Sequence, residues 1–173
     1  WNETDGGADD AVRGCYVRID LPGTSPLTLA EVEVHSKGRN IAMEGTATQS
    51  STGWGGVASR AIDGDADGTY GSGHQSHTAE GKQNSWWEVD LGDERSIDAI
   101  TIHNRQESPY WNRIDGYSIT ILDGDRGVAW ERTSQPPDQV SMEHVMNDDP
   151  APRIRRAALA SLAGGGAVEW SDG

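Results

Sequence analysis

Apolar and polar residues alternate in short runs along most of this chain, with glycine, proline, aspartate and asparagine between the runs. Tyr16 to Leu21 (YVRIDL) and Leu29 to Val34 (LAEVEV) come first, separated by Pro22-Gly23. Trp86 to Leu91 (WWEVDL), Ile97 to His103 (IDAITIH), Tyr117 to Leu122 (YSITIL) and Val128 to Glu131 follow. A period of two sends successive side chains to opposite faces of a strand, so each run predicts a strand with one face on a core. Asn40 to Ser51 is a mixed polar run that predicts an edge strand and a loop. Turn residues recurring at intervals of roughly 10–15 positions are the pattern of an all-β, antiparallel β-sandwich.

The alternation stops after Pro136-Pro137. Asp148-Asp149-Pro150-Ala151-Pro152 leads into an Arg/Ala/Leu-rich stretch to Ala163, stopped by Gly164-Gly165-Gly166. Acid and proline at the entry and glycine after the end predict a short C-terminal helix. Ile154, Ala158 and Leu162 would form one apolar stripe, which a lone helix cannot bury. The expected division is a sandwich over 14–135, then a linker and the start of a helical repeat-like segment over 136–173, with other domains of a parent chain beyond.

The alternation is also interrupted between Ala58 and Glu80 (ASRAIDGDADGTYGSGHQSHTAE). Asp63, Asp65 and Asp67 stand at every second position with Gly64 and Gly68 beside them, and His77 follows. Closely spaced carboxylates repel. A fold accommodates them on a solvated turn or around a hard cation, and glycine lets carbonyl oxygens turn inward as well. The stretch predicts a calcium-stabilised loop with a polar ring presented just beyond it.

Composition narrows the function. Glycine is abundant, at 22 of 173 residues, and hydrophobic residues make up only 34%, which suits a turn-rich β-domain. The formal charge of −14 argues against nucleic acid and against anionic lipid surfaces. Cys15 is the only cysteine, so there is no disulfide framework and no cysteine zinc site; it is expected to pack as a small apolar strand residue. The seven tryptophans can be core residues or sugar platforms. No carboxylate is expected in an apolar setting suited to acid catalysis, and no serine stands in a nucleophile elbow, so an enzyme is not expected. There is no signal-peptide or transmembrane stretch, and a chain beginning at Trp1 reads as a fragment or a mature piece.

Several segments, taken in order, resemble the F5/8 type C (discoidin-like) family, most closely its fucolectin-like branch. They are Asn40-Ile41-Ala42, Ala47 to Ser51, Ala58 to Asp65, Ser76-His77-Thr78, Trp86 to Leu91 and Asn104-Arg105, within residues 14–131. The resemblance implies a jelly-roll, galactose-binding-like sandwich. It implies a structural Ca²⁺ held by a carboxylate of Asp63, by Arg60 and Asp65 mostly through carbonyls, and by an oxygen from the His74–Ser76 turn, Ser76 being the residue singled out. It implies a sugar site of His77, Arg105 and Arg113, walled by Tyr110, Trp111 or Trp54. In the family a LAEVEV-type strand closes the domain at its C-terminal end, whereas here it comes first. Either residues 14–36 are the tail of a lost upstream copy or the domain is circularly permuted. Permutation is preferred, because a sandwich without these strands would leave a sheet edge open. Glu31 and the carbonyl of Ala30 would then complete the calcium shell.

Three departures bear on which sugar is bound. Glu107 stands where the family has aspartate, Arg113 lies one residue further along, and the 106–112 loop has no cysteine pair. In simpler terms His77 is a loop-stabilising residue, and Arg105 and Arg113 are ion-paired to Glu107 or Asp115. The expected function is a non-catalytic, calcium-stabilised module for a fucose-like or related glycan, within a larger extracytoplasmic protein. The alternative is an interaction or spacer domain that keeps the fold and the calcium but binds no sugar.

Overall fold

A computed structural model describes residues 12–133 and 141–146. The strands up to the Asp loop are β1 (Val12–Leu21), β2 (Thr28–Leu29), β3 (Glu31–Ser36), β4 (Arg39–Asn40) and β5 (Thr46–Gln49). After it come β6 (Ser76–His77), β7 (Ser85–Ile97), β8 (Ala99–His103), β9 (Ser118–Leu122), β10 (Val128–Thr133) and β11 (Ser141–Val145). They form a five-stranded sheet ordered β10-β9-β1-β7-β5, a four-stranded sheet ordered β11-β8-β3-β4, and a two-stranded ribbon of β2 and β6. All pairings are antiparallel. The architecture is the all-β sandwich that the alternation predicts.

The alternating residues meet between the sheets. Val17, Ile19 and Leu21 of β1 and Trp87 and Val89 of β7 face Val32 and Val34 of β3 and Ile100 and Ile102 of β8 within one buried cluster. Burying such side chains stabilises the fold by roughly 1.5–3 kcal/mol each. Trp87 also donates its indole N–H to the carbonyl of Ala58 at 3.0 Å, tying the core to the base of the Asp loop. Cys15 is buried, as expected.

β1 lies between β9 and β7, and β3 between β8 and β4. Residues 12–36 therefore supply an inner strand to each sheet. Thr46–Gln49 forms an edge strand, in keeping with its polar pattern. Leu29 to Val34 is not one strand, however. It breaks at Ala30, where the chain leaves the β2–β6 ribbon and joins the second sheet, its N–H bonding to the His103 carbonyl at 2.9 Å.

The sandwich also runs past the boundary expected at residue 135. β11 pairs with β8 from Ser141↔His103 to Val145↔Ala99. Its inward positions include a histidine, His144, whose imidazole is buried against the Tyr117 hydroxyl at 2.8 Å, so the run lacks an apolar signature. The helix expected between Asp148 and Ala163 lies outside the described residues.

Candidate functional site

The β2–β6 ribbon puts Leu29 opposite Ser76 and Thr28 opposite His77. It thereby brings the start of β3 against the Asp loop on one side and sets His77 into a cavity on the other. The two halves of the 58–80 stretch thus face different surroundings.

On the loop side, residues 58–62 form a 3-10 turn that ends at Asp63. Asp63 accepts the N–H of Asp65, Asp65 that of Asp67, and Asp67 that of Thr69, each at 2.9 Å. His74 bridges two of these carboxylates, with Nδ1 3.1 Å from Asp63 and Nε2 3.5 Å from Asp65. The hydrogen bond to Asp63 and the surrounding negative charge raise its pKa. Glu31 reaches the same loop from β3, its Oε1 accepting the Gly64 N–H at 3.1 Å. Its other oxygen, Oε2, is buried with no hydrogen-bond partner. Burial, with added repulsion from Asp63 and Glu33, pushes the Glu31 carboxyl up to about 7 despite backbone N–H groups from Gly64 and Asp63. A buried carboxylate oxygen without a partner is an unmet demand for a cation or a proton.

Ser76 donates its hydroxyl to the Leu29 carbonyl at 3.3 Å. Arg60 sits in the turn just before Asp63 and borders a narrow cleft with Trp54, Tyr70, Gln75 and His77. Among the described residues no three His, Cys, Asp or Glu side chains converge as a metal-ligand set. A cation here would have to draw on backbone carbonyls as well as Glu31 and Asp63. Mixed carboxylate and carbonyl oxygens are the donor set suited to Ca²⁺, so the residues present fit that ion.

On the other side, a cavity of about 200 Å³ is lined by Trp54, Tyr70, His77, Glu80, Arg105, Tyr110 and Arg113. His77, Arg105 and Arg113, far apart in the chain, meet here. His77 is buried, and its Nδ1 lies 2.5 Å from the carbonyl of Thr78. A carbonyl can only accept, so Nδ1 carries the proton and Nε2 is left as an acceptor. Burial first, and then the cations Arg113 and Arg105, hold the His77 pKa below its usual value, keeping this neutral form. Gly56 makes room for the His77 backbone: a Cβ there would stand 2.7 Å from both the His77 Cβ and its backbone nitrogen.

The arginines are held by rings. The Arg105 guanidinium lies 4.3 Å from the Tyr70 ring centroid and 4.5 Å from that of Tyr110, while Arg113 lies 4.4 Å from Tyr110. Glu107 clamps this stack, its Oε2 accepting Arg105 Nε at 2.8 Å and its Oε1 accepting the N–H of Tyr70. Those hydrogen bonds outweigh the effect of burial and keep the Glu107 carboxyl below its ordinary range. The Arg105–Glu107 ion pair foreseen in the simpler reading is therefore present. No ion pair joins Arg113 to Asp115 among the described residues.

Of the three candidate wall residues, Trp111 is tied through its carbonyl to Asn104 Nδ2 at 2.6 Å and does not line the cavity. Tyr110 lines it, but arginines occupy its ring. Trp54 is left, 72% exposed at the mouth, on backbone with φ 51°. Tyr70 and Glu80 line the cavity without having been expected there. Tyr70 is adjacent to the Asp loop in sequence, but only its contact with Arg105 reveals its place.

The profile of the family described as "NedA-like, galactose-binding domain", of F5/8 type C, matches residues 60–147, about half of the sequence, and the chain belongs to that family. The chain is 45% identical over 87 residues to "Fucolectin-3" of Anguilla japonica, covering 47% of this chain and 47% of that protein. It is 38% identical over 115 residues to "Fucolectin-1" of the same eel, covering 64% of each. The chain thus spans less than two thirds of the length of these relatives. Among solved structures, the lectin domain of Lectinolysin complexed with Lewis B antigen matches with a TM-score of 0.61 at 29% identity, over 65% of this chain and 79% of that one. A Streptococcus pneumoniae fucose binding module matches with a TM-score of 0.60 at 28% identity, over 66% and 81%.

Proposed function

We propose that this domain is a non-catalytic carbohydrate-binding module that takes a fucose-like sugar at the end of a glycan, within a larger extracytoplasmic protein. The observation that carries this reading is the convergence of His77, Arg105 and Arg113 on one cavity with complementary hydrogen-bonding capacity. His77 Nε2 accepts from one sugar hydroxyl, while the two guanidinium groups donate to ring and hydroxyl oxygens. Trp54, the cavity's ring not faced by an arginine, packs on the apolar side of the sugar. The eel fucolectins, the Lectinolysin domain complexed with Lewis b and the fucose binding module support the same ligand class.

We assign the Asp loop to calcium. Glu31 and Asp63 would give carboxylate oxygens, and Ala30, Arg60, Asp65 and Ser76 further oxygens. The ion would neutralise the buried Glu31 oxygen and fix the loop; it would do no chemistry. We also read the chain order as a circular permutation, supported by the inner positions of β1 and β3 in the two sheets.

Calorimetric titration with L-fucose tests the function. Millimolar or tighter binding that is lost in His77→Ala and Arg105→Ala is the expected result. If neither L-fucose nor a fucosylated glycan binds while calcium still raises the melting temperature, the domain is a spacer that has kept only the fold and the ion.

A further inference from the structure

A second cavity, of about 300 Å³, opens at one end of the five-stranded sheet, where β1 and β10 end and β9 begins, between Asp20, Leu21, Pro22, Asn84, Gly116, Ser118 and Thr133. It shares none of its lining residues with the first. Two loops nevertheless link them. Glu80 and Asn84 lie on the loop that joins β6 to β7, one in each cavity; Arg113 and Gly116 lie on the segment entering β9, again one in each. Three residues of extended chain span at most about 11 Å. That is within reach of a short oligosaccharide.

The groove has a built polar lining. Arg18 holds the Asp20 carboxylate with three hydrogen bonds, from Nε at 3.1 and 2.9 Å and from Nη2 at 3.0 Å. Arg18 is itself stacked on Trp86 at 4.4 Å and turned toward Glu88 at 3.5 Å. Asp20 is therefore pinned before any ligand arrives, and a carboxylate retains acceptor capacity beyond three such bonds. Asn84 sits at φ 55°, with its N–H bonded to the Gly23 carbonyl at 2.8 Å. Its side-chain Oδ1 takes only a long bond from Gly23 N, 3.4 Å, which leaves the amide NH₂ as a donor. Ser118 and Thr133 add hydroxyls, and the exposed Pro22 an apolar floor. A fixed acceptor, a donor amide and hydroxyls over an apolar floor suit neutral pyranose rings, which present hydroxyls at their edges and C–H groups on their faces.

We infer that this groove is a second subsite for the neutral sugar residues that follow a terminal sugar seated on His77, Arg105 and Arg113. The domain then reads an oligosaccharide, with Asp20 and Asn84 as the specificity-determining residues. This rests on the sugar-site reading given above.

The test is a titration series from L-fucose through fucose-terminated di-, tri- and tetrasaccharides, on the wild-type domain, Asp20→Asn and Asn84→Ala. Affinity should rise about 10-fold or more between L-fucose and the longer chains, the scale of one or two added hydrogen bonds to a charged group. Both substitutions should erase that gain and leave L-fucose binding unchanged. Asn84 is exposed, so its variant keeps the test intact if Asp20→Asn perturbs folding. L-fucose binding with no gain from chain length, or a gain that survives both substitutions, overturns the subsite alone. Absence of L-fucose binding overturns the reading beneath it. Oligosaccharide binding that depends on Asp20 but survives His77→Ala would show a separate site and overturn the linkage.

Discussion

His77 shows how much one side chain's function depends on its neighbours. In sequence it is a histidine after an acidic loop, and its proposed role in a sugar site came from family resemblance. What fixes its chemistry is the Thr78 carbonyl on Nδ1 and two arginines across the cavity. Its pKa lies below the ordinary value, so the neutral acceptor form persists through neutral pH and is lost only under acid. L-fucose affinity should therefore be held from pH 8 through neutral pH and fall on acidification, as protonation turns Nε2 from acceptor to donor. A titration series across pH checks this, and affinity that rises on acidification would contradict it. The same neighbourhood explains Gly56. In Gly56→Ala the added Cβ must push aside the His77 backbone, which has little room to give. Weaker sugar binding with a melting temperature lowered by several degrees is the expected outcome. Glu107 acts through others, as a positioning residue. Glu107→Ala should weaken L-fucose binding about 10-fold by freeing Arg105 and Tyr70, and Glu107→Gln should restore part of it by again accepting from Tyr70.

At the scale of elements, legibility follows from what holds each one in place. β1, β7, β8 and β9 could be read because apolar and polar residues alternate along YVRIDL, WWEVDL, AITIH and SITIL, and that pattern dictates the register. β11 could not, since one of its inward residues is polar and buried through a bond to Tyr117, over 20 positions earlier. The break at Ala30 was equally hidden, because a two-residue ribbon leaves no periodicity to read. The Asp loop announced its carboxylates, yet Glu31, its partner from another element, came from resemblance and was then met by the Gly64 contact. The loop's second tie is backbone to backbone: Gln106 N bonds to the Gly68 carbonyl at 3.1 Å, and a Cβ on Gly68 would stand 2.4 Å from the Asn104 carbonyl oxygen. Gly68→Ala should therefore force the Asp loop off the strand end that carries Arg105. Its expected signature is a joint loss of sugar affinity and of stability, read by titration and by thermal melting of one sample. Loss of neither would mean that the two segments are not packed as described.

The pH dependence of the whole molecule ties the loop to the far edge of the sandwich. Burial raises the Glu31 carboxyl to about 7. The folded state therefore keeps a proton that the unfolded chain releases near its ordinary value, and without metal this costs stability as pH rises from about 4.5 to 7. His144 has the opposite sign. Burial first, with repulsion from Arg132, lowers it to about 4. The unfolded chain gains its proton first, so stability present above about 6.5 is lost as pH falls toward 4. Each contribution is of the order of 3 kcal/mol over its window, and between about 4.5 and 6.5 the two nearly cancel. In EDTA, thermal stability should thus be almost level across that interval. Calcium bound to Glu31 would replace its proton and remove the first contribution, so stability in calcium should rise with pH there. The gap between the two melting curves should widen steadily up to about pH 7. His144→Leu separates the contributions: in EDTA it should become less stable as pH rises, and in calcium nearly indifferent to pH. Parallel curves in EDTA and calcium would remove Glu31 from the ion's shell, and a wild-type slope unchanged in His144→Leu would remove His144 from the acid limb.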